Sequence, residues 1–337
     1  MSTVAVTGAN GFIGAHVVSA LLRRGHQVRA LVGADVDCAN LADVPVETQA
    51  FDLLDDASVR AGLRGCNAVI HTAACYAFWL PDPRDFYRVN VDGTRRVLDA
   101  VRAEGLRKLV YTSTGATLAP PGPGFPGHYR SSKAEGERLV EAAAAAGFPA
   151  VVVHPTTVLG PGDRRPTPTG SLIVHYLAGR MRMFLEMQQN VVHVYDVALG
   201  HVLALERGAP GGHYVLGGEN LWMRELLGLL EEITGIAAPQ RALPNSVVLR
   251  MGALNEWLSD HVTHRPPVVA REAALHARDA RFFDLAKTRS ELEYEPRAAR
   301  AVLADAVRWF ESLNGALPSP SSSLRAVSPR DRTPRST

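Results

Sequence analysis

Near its N-terminus the chain reads Val4-Ala5-Val6-Thr7-Gly8-Ala9-Asn10-Gly11-Phe12-Ile13-Gly14, a short apolar run that leads into a glycine-rich turn. Apolar residues at helical spacing follow, and this pattern ends at Gly25. A strand, a glycine loop and a helix N-terminus in this order can hold a pyrophosphate, because the glycines allow close backbone approach and the helix end supplies N–H groups. The turn therefore predicts a dinucleotide-binding loop at the start of a Rossmann-type, doubly wound parallel α/β sheet.

The segment after the second strand, Gln27 to Val32, bears on the choice of dinucleotide. No lysine or arginine occurs from residue 30 to 59, and the acids Asp35, Asp37, Asp43 and Glu47 lie in this stretch. A dianionic 2′-phosphate would be repelled there, whereas ribose hydroxyls can donate hydrogen bonds to an aspartate. The segment favours NAD(H) over NADP(H), unless Arg29 or a basic side chain from elsewhere reaches the ribose.

Two further strand ends carry candidate cofactor residues. Asp52 follows the third strand and can accept a hydrogen bond from an adenine amino group, cap a helix from Ala57 to Leu63, or do both. The fourth strand, Asn67 to Ile70, ends at His71-Thr72-Ala73-Ala74, whose small residues let the backbone pass close to a cofactor. We expect His71 to be a buried, hydrogen-bonded histidine.

A tyrosine and a lysine four residues apart, Tyr129 and Lys133, open a run of good helix formers. Residues at this spacing share one helix face, and a lysine beside a tyrosine favours the phenolate and lowers the tyrosine pKa toward a useful range. The fifth strand, Leu109 to Thr112, delivers Ser113 and Thr114 to its carboxyl end, where ligands bind in open α/β sheets. The Thr114 hydroxyl is therefore placed to bond a substrate carbonyl opposite Tyr129.

Beyond residue 160 the alternation of strands and helices loosens. We expect a strand at Val191 to Val194, a helix capped by Asp196, a helix from Trp222 to Thr234, and a β-like patch at Arg281 to Asp284. The sequence predicts a dinucleotide-binding domain of residues 1–160 and 191–218, a substrate-binding region of residues 161–190 and 219–315 that is mostly helical, and a disordered tail of residues 316–337.

The composition is that of an ordinary soluble globular protein. The 337 residues carry a net charge of +2, which gives no reason to expect a nucleic-acid or membrane partner. We expect no signal peptide or spanning helix, and a cytoplasmic location. Cys38, Cys66 and Cys75 are too few and too scattered for a disulfide framework or a zinc site, so no metal is expected.

Several motifs taken together resemble the extended short-chain dehydrogenase/reductases. They are the glycine loop, His71-Thr72-Ala73-Ala74, Asn90-Val91-x-Gly93-Thr94, Tyr129-x-x-x-Lys133, Pro155-x-x-Val158-x-Gly160-Pro161-Gly162-Asp163 and His193-Val194-x-Asp196-Val197-Ala198. The Asn90 motif opens a predicted helix to about Glu104. The match covers about residues 3–313. Within that superfamily the chain looks most like the dihydroflavonol-reductase-like branch of the NAD-dependent epimerase/dehydratase family. Pro166-Thr167-Pro168-Thr169-Gly170 is similar to the bacterial group labelled hopanoid-associated sugar epimerases.

The resemblance implies roles for individual residues. Tyr129 would be the general acid or base, Lys133 would hold the nicotinamide ribose, Thr114 would orient the substrate oxygen, and Asn90 would support the proton relay. The implied cofactor residues are Gly8, Asn10, Gly11, Phe12, Ile13, Gly14, Asp52, Leu53, Thr72, Ala73, Ala74, Thr112, Tyr129, Lys133, Pro155 and Thr157. The resemblance is compatible with a homodimer, formed by the helices that begin near Asn90 and Tyr129, and with a monomer.

This chain departs from the family pattern in ways that bear on its substrate. Gly115-Ala116 replaces the Asp-Glu pair of sugar-nucleotide dehydratases, and Gln188, Gln189 and Asn190 stand where epimerases often place an arginine for a diphosphate. His154 also replaces a residue that often serves the nucleotide. Gly33 stands where the dihydroflavonol-like members usually carry a basic residue, which speaks against their usual NADP(H) preference. The connection from Thr114 to Tyr129 is short, so we expect an altered substrate entrance.

The leading hypothesis is a nicotinamide-dependent oxidoreductase, which reduces a ketone or aldehyde, or oxidises a secondary alcohol, of a small and largely apolar molecule. The aromatic segment with Tyr76, Phe78 and Trp79 is either a pocket wall for such a molecule or a lid over the core. A sugar or sugar-nucleotide epimerase that retains its cofactor is the alternative. A non-catalytic dinucleotide sensor is less favoured, because the chain keeps both Tyr129 and Lys133.

Overall fold

A computed structural model describes residues 2–34, 36–118, 120, 124, 126–263, 267 and 271–313. Asp35, most of residues 119–125 and the predicted disordered tail, 316–337, lie outside the described residues.

The described chain contains strands and helices in alternation over its first half. In chain order the strands are β1 (Thr3–Thr7), β2 (Gln27–Val32), β3 (Thr48–Ala50), β4 (Ala68–His71), β5 (Lys108–Thr112), β6 (Ala150–Pro155), β7 (Thr157–Leu159), β8 (Met183–Leu185), β9 (Gln188–His193), β10 (His213–Leu216), β11 (Glu219–Trp222) and β12 (Arg241–Leu243). The α-helices are α1 (Phe12–Arg23), α2 (Asp56–Leu63), α3 (Arg84–Tyr87), α4 (Gly93–Ala103), α5 (Gly115–Leu118), α6 (His128–Ala145), α7 (Pro168–Leu177), α8 (Val194–Arg207), α9 (Met223–Thr234), α10 (Asn245–Leu258), α11 (Arg271–Asp279), α12 (Ala286–Leu292) and α13 (Ala299–Ser312).

Seven of the strands form one parallel sheet in the order β10-β6-β5-β4-β1-β2-β3, which confirms the predicted Rossmann-type fold. Helices cover both faces, and β4 and β6 are buried over their whole length. Val4 and Val6 belong to the core under α1 and α8, and Ala5 to the core under α2, α4 and α6. The order reverses between β1 and β4, and this reversal opens a crevice at their carboxyl ends.

The C-terminal part packs around a separate apolar core. β7, β9 and β11 form a small sheet, and β8 pairs with β12. Helices α7, α9 and α13 contribute Ile173, Leu226 and Phe310 to this core. None of the helices in the described part of the chain is both long and apolar enough to cross a lipid bilayer.

The predicted cap of α8 is wrong, and of the roles open to Asp52 the helix cap is not the one observed; a nearby residue makes the cap in each case. The side chain of Asp55, not Asp52, accepts from the backbone N–H of Ala57 at the start of α2. His193, not Asp196, caps α8, while the Asp196 carboxylate accepts from the backbone N–H of Arg297.

Three other predicted elements differ in their bounds or type. The helix predicted to open at Asn90 already begins at α3 and passes through a π turn at Arg88–Asp92 before α4. Trp222 belongs to β11 rather than to α9. Residues 281–284 do not form a strand, because the side chains of Gln188 and Asn220 take the backbone hydrogen bonds of Phe282 and Phe283.

The glycine-rich turn between β1 and α1 requires glycine at positions 8 and 14. Gly8 has a φ of +66°, and a Cβ there would lie 2.8 Å from the Cα of Ala73. A Cβ on Gly14, in the first turn of α1, would lie 2.2 Å from the carbonyl oxygen of Gly8. The end of β1, the end of β4 and the start of α1 are therefore packed backbone to backbone.

We predict opposite stability changes for two glycine-to-alanine substitutions inside helices. Gly14→Ala should destabilise the fold by about 1–3 kcal/mol, because backbone must move to admit the methyl group. Gly228→Ala in α9 is the matched control: a Cβ there meets nothing within 4 Å, and it should stabilise by about 0.5–1 kcal/mol. Thermal unfolding of both variants tests this, and a Gly14→Ala protein as stable as the wild type would contradict the close packing.

Candidate functional site

A cavity of about 1500 Å³ lies at the carboxyl ends of β1, β4, β5 and β6. Most of the predicted cofactor residues line it: Gly8, Asn10, Gly11, Phe12, Ile13, Gly14, Thr72, Ala74, Thr112, Tyr129, Lys133, Pro155 and Thr157. Its floor is formed by the first turn of α1, whose backbone N–H groups have no acceptor within the helix. Since this turn begins at Phe12 and faces the cavity, it fits the pyrophosphate of a dinucleotide.

The other three predicted cofactor residues are not among those that line the cavity. The N–H of Ala73 donates to the Thr7 hydroxyl, and Ala73 packs behind Gly8. Leu53 packs against Gly93 in α4, and the Asp52 carboxylate accepts from the backbone N–H of Leu54.

Tyr129 lies in the first turn of α6 and is buried. Its phenol is hydrogen-bonded to the side chain of Thr114, which also lines the cavity. Burial raises the pKa of Tyr129 well above its usual range, and the hydrogen bond with Thr114 opposes that rise. The sequence predicted a lowered pKa; the structure gives the opposite direction, because loss of solvent dominates at this site.

Lys133 is buried one turn after Tyr129. Its Nζ donates to the carbonyl oxygen of Thr112 at 2.7 Å and to the hydroxyl of Tyr111 at 3.1 Å. Burial lowers the pKa of Lys133 to about 7, and the nearby Glu137 carboxylate opposes this shift. The lysine is therefore fixed to the end of β5 and titrates near neutrality.

Asn90 is buried and hydrogen-bonded to two neighbouring segments of the chain. Its Nδ2 donates to the hydroxyl of Ser132 at 3.0 Å and to the carbonyl oxygen of Cys75, and its Oδ1 accepts from the N–H of Cys75. These bonds join the π turn, the loop after β4 and helix α6. The support of a proton relay that the resemblance implies for Asn90 stays a prediction. As predicted, His71 is buried and hydrogen-bonded, to Thr7.

Sequence reasoning missed the carboxylate that caps the catalytic helix. Glu272, in α11, accepts from the backbone N–H groups of His128 at 3.0 Å and Arg130 at 3.3 Å, and a further bond goes to the N–H of Tyr129. Gly127 makes room for it, since a Cβ there would lie 2.5 Å from the Glu272 carboxyl carbon. No local motif signals this cap, because the partners lie more than a hundred residues apart.

The aromatic segment lines the cavity beside Tyr129, as one of its two predicted roles requires. The rings of Tyr76 and Tyr129 lie 4.9 Å apart, and Phe78 is 5.8 Å from the ring of His276 in α11. Trp79 also contributes to the lining. The space next to the phenol is therefore bounded by aromatic rings.

Arginines from several segments of the predicted substrate-binding region line the cavity. Gln188, Gln189 and Asn190 are bonded to Phe282, Thr157 and Thr156, as structural partners. Other parts of the chain contribute Arg165, Arg180 and Arg281 to the lining. The cavity therefore contains cations that can meet an anionic group, although positions 188–190 contribute none of them.

The region after β2 contributes an acid to the cavity, and a base from the segment after β7 reaches it. Asp37 and Asn40 line the cavity, and Arg164 donates to Asn40 at 3.2 Å. Arg29 points elsewhere, since its guanidinium bonds the carbonyl oxygens of Gly62 and Arg64. Arg29 is therefore not directed at the ribose region, whereas Arg164, which is distant in sequence, is close to it.

Comparison with known proteins gives the same architecture and related chemistry. The model of the NAD dependent epimerase/dehydratase family matches residues 4–217. The chain is 35% identical to "Putative dihydroflavonol 4-reductase" of Synechocystis sp., over 91% of this chain and 94% of that protein. It is 34% identical to "Sterol demethylase protein B" of Methylococcus capsulatus, over 91% and 98% of the two chains. Other relatives, at 30 to 33% identity, are named as reductases.

Solved structures extend the similarity to the C-terminal part. The crystal structure of gox2253 superposes with a TM-score of 0.81 at 36% identity and covers 93% of this chain and 99% of that one. A nucleoside-diphosphate-sugar epimerase from Pseudomonas aeruginosa gives a TM-score of 0.77 at 26% identity, over 94% and 99%. The chain thus belongs to the NAD-dependent epimerase/dehydratase family and is an NAD(P)-dependent enzyme of the extended short-chain dehydrogenase/reductases, on their dihydroflavonol-reductase-like branch.

Proposed function

We propose that this protein is a reductase that transfers a hydride between a nicotinamide dinucleotide and the carbonyl carbon of a small, largely apolar molecule, with Tyr129 as the acid. The observation that carries the proposal is the pairing of Tyr129 with Thr114 at the carboxyl end of β5. The two hydroxyls lie beside a glycine loop that fits the cofactor pyrophosphate. An aromatic wall bounds the same space.

The chain's own residues supply orientation and the proton. Thr114 and Tyr129 would hold the substrate oxygen between their hydroxyls, and Tyr129 would donate its proton as negative charge develops there. Because burial raises its pKa, the phenol keeps its proton at neutral pH, which suits the direction of reduction. Lys133 would bond the nicotinamide ribose. The bound nicotinamide supplies the hydride.

The cavity supports a substrate with an apolar reacting part and allows for an acidic remote part. Tyr76, Phe78 and Trp79 would contact the apolar part, and Arg165, Arg180 and Arg281 would bind an acidic group. We propose that the substrate-binding region comprises residues 161–190 and 219–315, with residues 1–160 and 191–218 binding the dinucleotide.

The alternative is an epimerase for a sugar or sugar nucleotide, which the cavity arginines and the structural similarity to a sugar epimerase favour. An epimerase oxidises and then re-reduces its substrate, so the cofactor does not change in bulk. A reductase consumes reduced cofactor in step with its substrate. A screen of aromatic ketones, polyketide-like ketones and sugar nucleotides, followed by nicotinamide absorbance and by product analysis, separates the two functions.

Replacement of Tyr129 tests the mechanism. Tyr129→Phe removes the proton donor and the partner of Thr114, so turnover should fall by about 10²–10⁴-fold. Cofactor binding should stay nearly unchanged. Tyr76→Phe is the matched control, since it changes a tyrosine ring 4.9 Å away that has no assigned proton transfer. Unchanged turnover of Tyr129→Phe with a carbonyl substrate would refute the mechanism.

Cofactor preference follows from the region after β2. We propose that NAD(H) binds more tightly than NADP(H), because Asp37 lines the cofactor end of the cavity and repels a 2′-phosphate. Fluorescence titration with NADH and NADPH measures the preference. Tighter binding of NADPH that is lost in Arg164→Gln would show that Arg164 bonds the 2′-phosphate and would overturn the preference.

The cap on α6 should make stability depend on pH. Burial raises the pKa of Glu272 from its ordinary value of 4.5 to about 7. The native state therefore retains a proton that the unfolded chain has lost, and stability falls as pH rises from about 4.5 to about 7. Relative to Glu272→Gln, the wild type should lose on the order of 1–3 kcal/mol across this window.

Thermal unfolding of the two proteins at a series of pH values provides the measurement. Glu311→Gln, at an exposed site in α13, is the control and should run parallel to the wild type at every pH. A constant difference between wild type and Glu272→Gln from pH 4.5 to 7 would contradict the assignment.

A further inference from the structure

Two histidines and a glutamate meet at the edge of the main sheet, behind the strand that carries Thr114. His154 lies at the end of β6, and His213 begins the neighbouring edge strand, β10. Glu137 reaches them from α6, two turns after Tyr129. His154 and Glu137 are buried, and His213 is half-buried. In relatives the residue at the position of His154 often binds the substrate nucleotide. In this structure the His154 side chain faces the cluster instead.

The three facing atoms form a compact triangle. His154 Nε2 lies 3.1 Å from His213 Nδ1 and 3.9 Å from Glu137 Oε1, and Glu137 Oε1 lies 3.7 Å from His213 Nδ1. A point equidistant from these atoms lies about 2.1 Å from each, which is the length of zinc bonds to histidine nitrogen and carboxylate oxygen. An ion with a fourth ligand lies slightly off the plane of these atoms, so the side chains need only a small adjustment to bind one.

Each of the three side chains also has a polar partner outside the triangle. His154 Nδ1 lies 3.2 Å from the carbonyl oxygen of Thr114, which can only accept, so this nitrogen carries the proton and Nε2 presents its lone pair to the cluster. The second carboxylate oxygen of Glu137 accepts from the Ser113 hydroxyl. His213 Nε2 lies 3.5 Å from a carboxylate oxygen of Glu141. Such outer partners orient the ligands of metal sites in proteins.

We propose that Glu137, His154 and His213 bind one Zn²⁺ ion, with water as the fourth ligand. Imidazole nitrogens favour zinc over magnesium or calcium, which prefer oxygen ligands. The ion lies outside the cofactor cavity and joins β6 and β10 to α6, the helix that carries Tyr129 and Lys133. Its role is structural: it holds Ser113 and Thr114 in place from behind through Glu137 and His154.

The prediction that the chain has no metal site rested on its cysteines. The histidines are 59 residues apart, and neither belongs to a metal-binding sequence motif. In the absence of metal, a hydrogen bond between the two imidazoles, at 3.1 Å, accounts for the same geometry. A metal site and a hydrogen bond between the imidazoles predict different responses of the protein to added zinc.

The test uses untagged, full-length protein that has been stripped with a chelator and then titrated with ZnCl₂. The metal content after removal of free ion and the thermal unfolding temperature are measured. We expect one zinc per chain and a rise in unfolding temperature, and no comparable rise with MgCl₂. His213→Gln should bind zinc at least about tenfold more weakly. His261→Gln is the matched control, because His261 is exposed and its Nδ1 lies 2.9 Å from the carbonyl oxygen of Trp257, far from the cluster in sequence.

Cobalt gives an independent readout of the same site. Co²⁺ at a four-coordinate site with nitrogen and oxygen ligands should produce visible absorption bands that zinc displaces and that His213→Gln lacks. Absence of zinc binding by the wild type would overturn the proposal and leave the hydrogen-bonded cluster. Equal zinc stabilisation of the wild type and His213→Gln would overturn it as well, because the ion would then bind elsewhere.

Discussion

The ammonium group of Lys133 donates a hydrogen bond of 2.7 Å to the carbonyl oxygen of Thr112, and the arrangement of the catalytic residues depends on this contact. A buried charge is unfavourable unless it is bonded, and the hydroxyl of Tyr111 supplies a second partner. Because both partners belong to β5, helix α6 has one favourable position over the end of that strand. Tyr129 lies one turn earlier on the same face and is thereby brought to Thr114.

The same face of α6 also contacts other elements. Ser132 bonds Asn90 of the π turn, and Gly136 lets the helix approach so closely that a Cβ would lie 2.5 Å from the Asn90 carbonyl oxygen. Glu137 ends the series at Ser113 and the two histidines of the sheet edge. The face is therefore buried but polar, so the apolar periodicity that identifies a buried helix face does not reveal it.

The sequence predicts those parts of the site whose geometry is local. The glycine turn and the Tyr129/Lys133 spacing each fix their geometry within one or two turns of chain, and the structure brings both to one cavity. The caps of α2 and α8 differ from the sequence assignment for two reasons. Asp52 and Asp55 are equally suited to cap, and only the path of the chain selects one, whereas His193 caps α8 although aspartate is the commoner cap. The cavity arginines and the Glu272 cap require knowledge of how distant segments pack.

The position of the catalytic tyrosine is not independent of the region that shapes the substrate cavity. Glu272 closes the N-terminus of α6, and Arg130 in the same turn bonds Asp279 at 2.7 Å; both carboxylates come from α11. Phe78 of the aromatic wall lies against His276 on that helix. Since Tyr129 lies between these contacts, a change in α11 that reshapes the cavity also moves the proton donor. The interface between α6 and α11 therefore links the position of the proposed proton donor to the shape of the cavity.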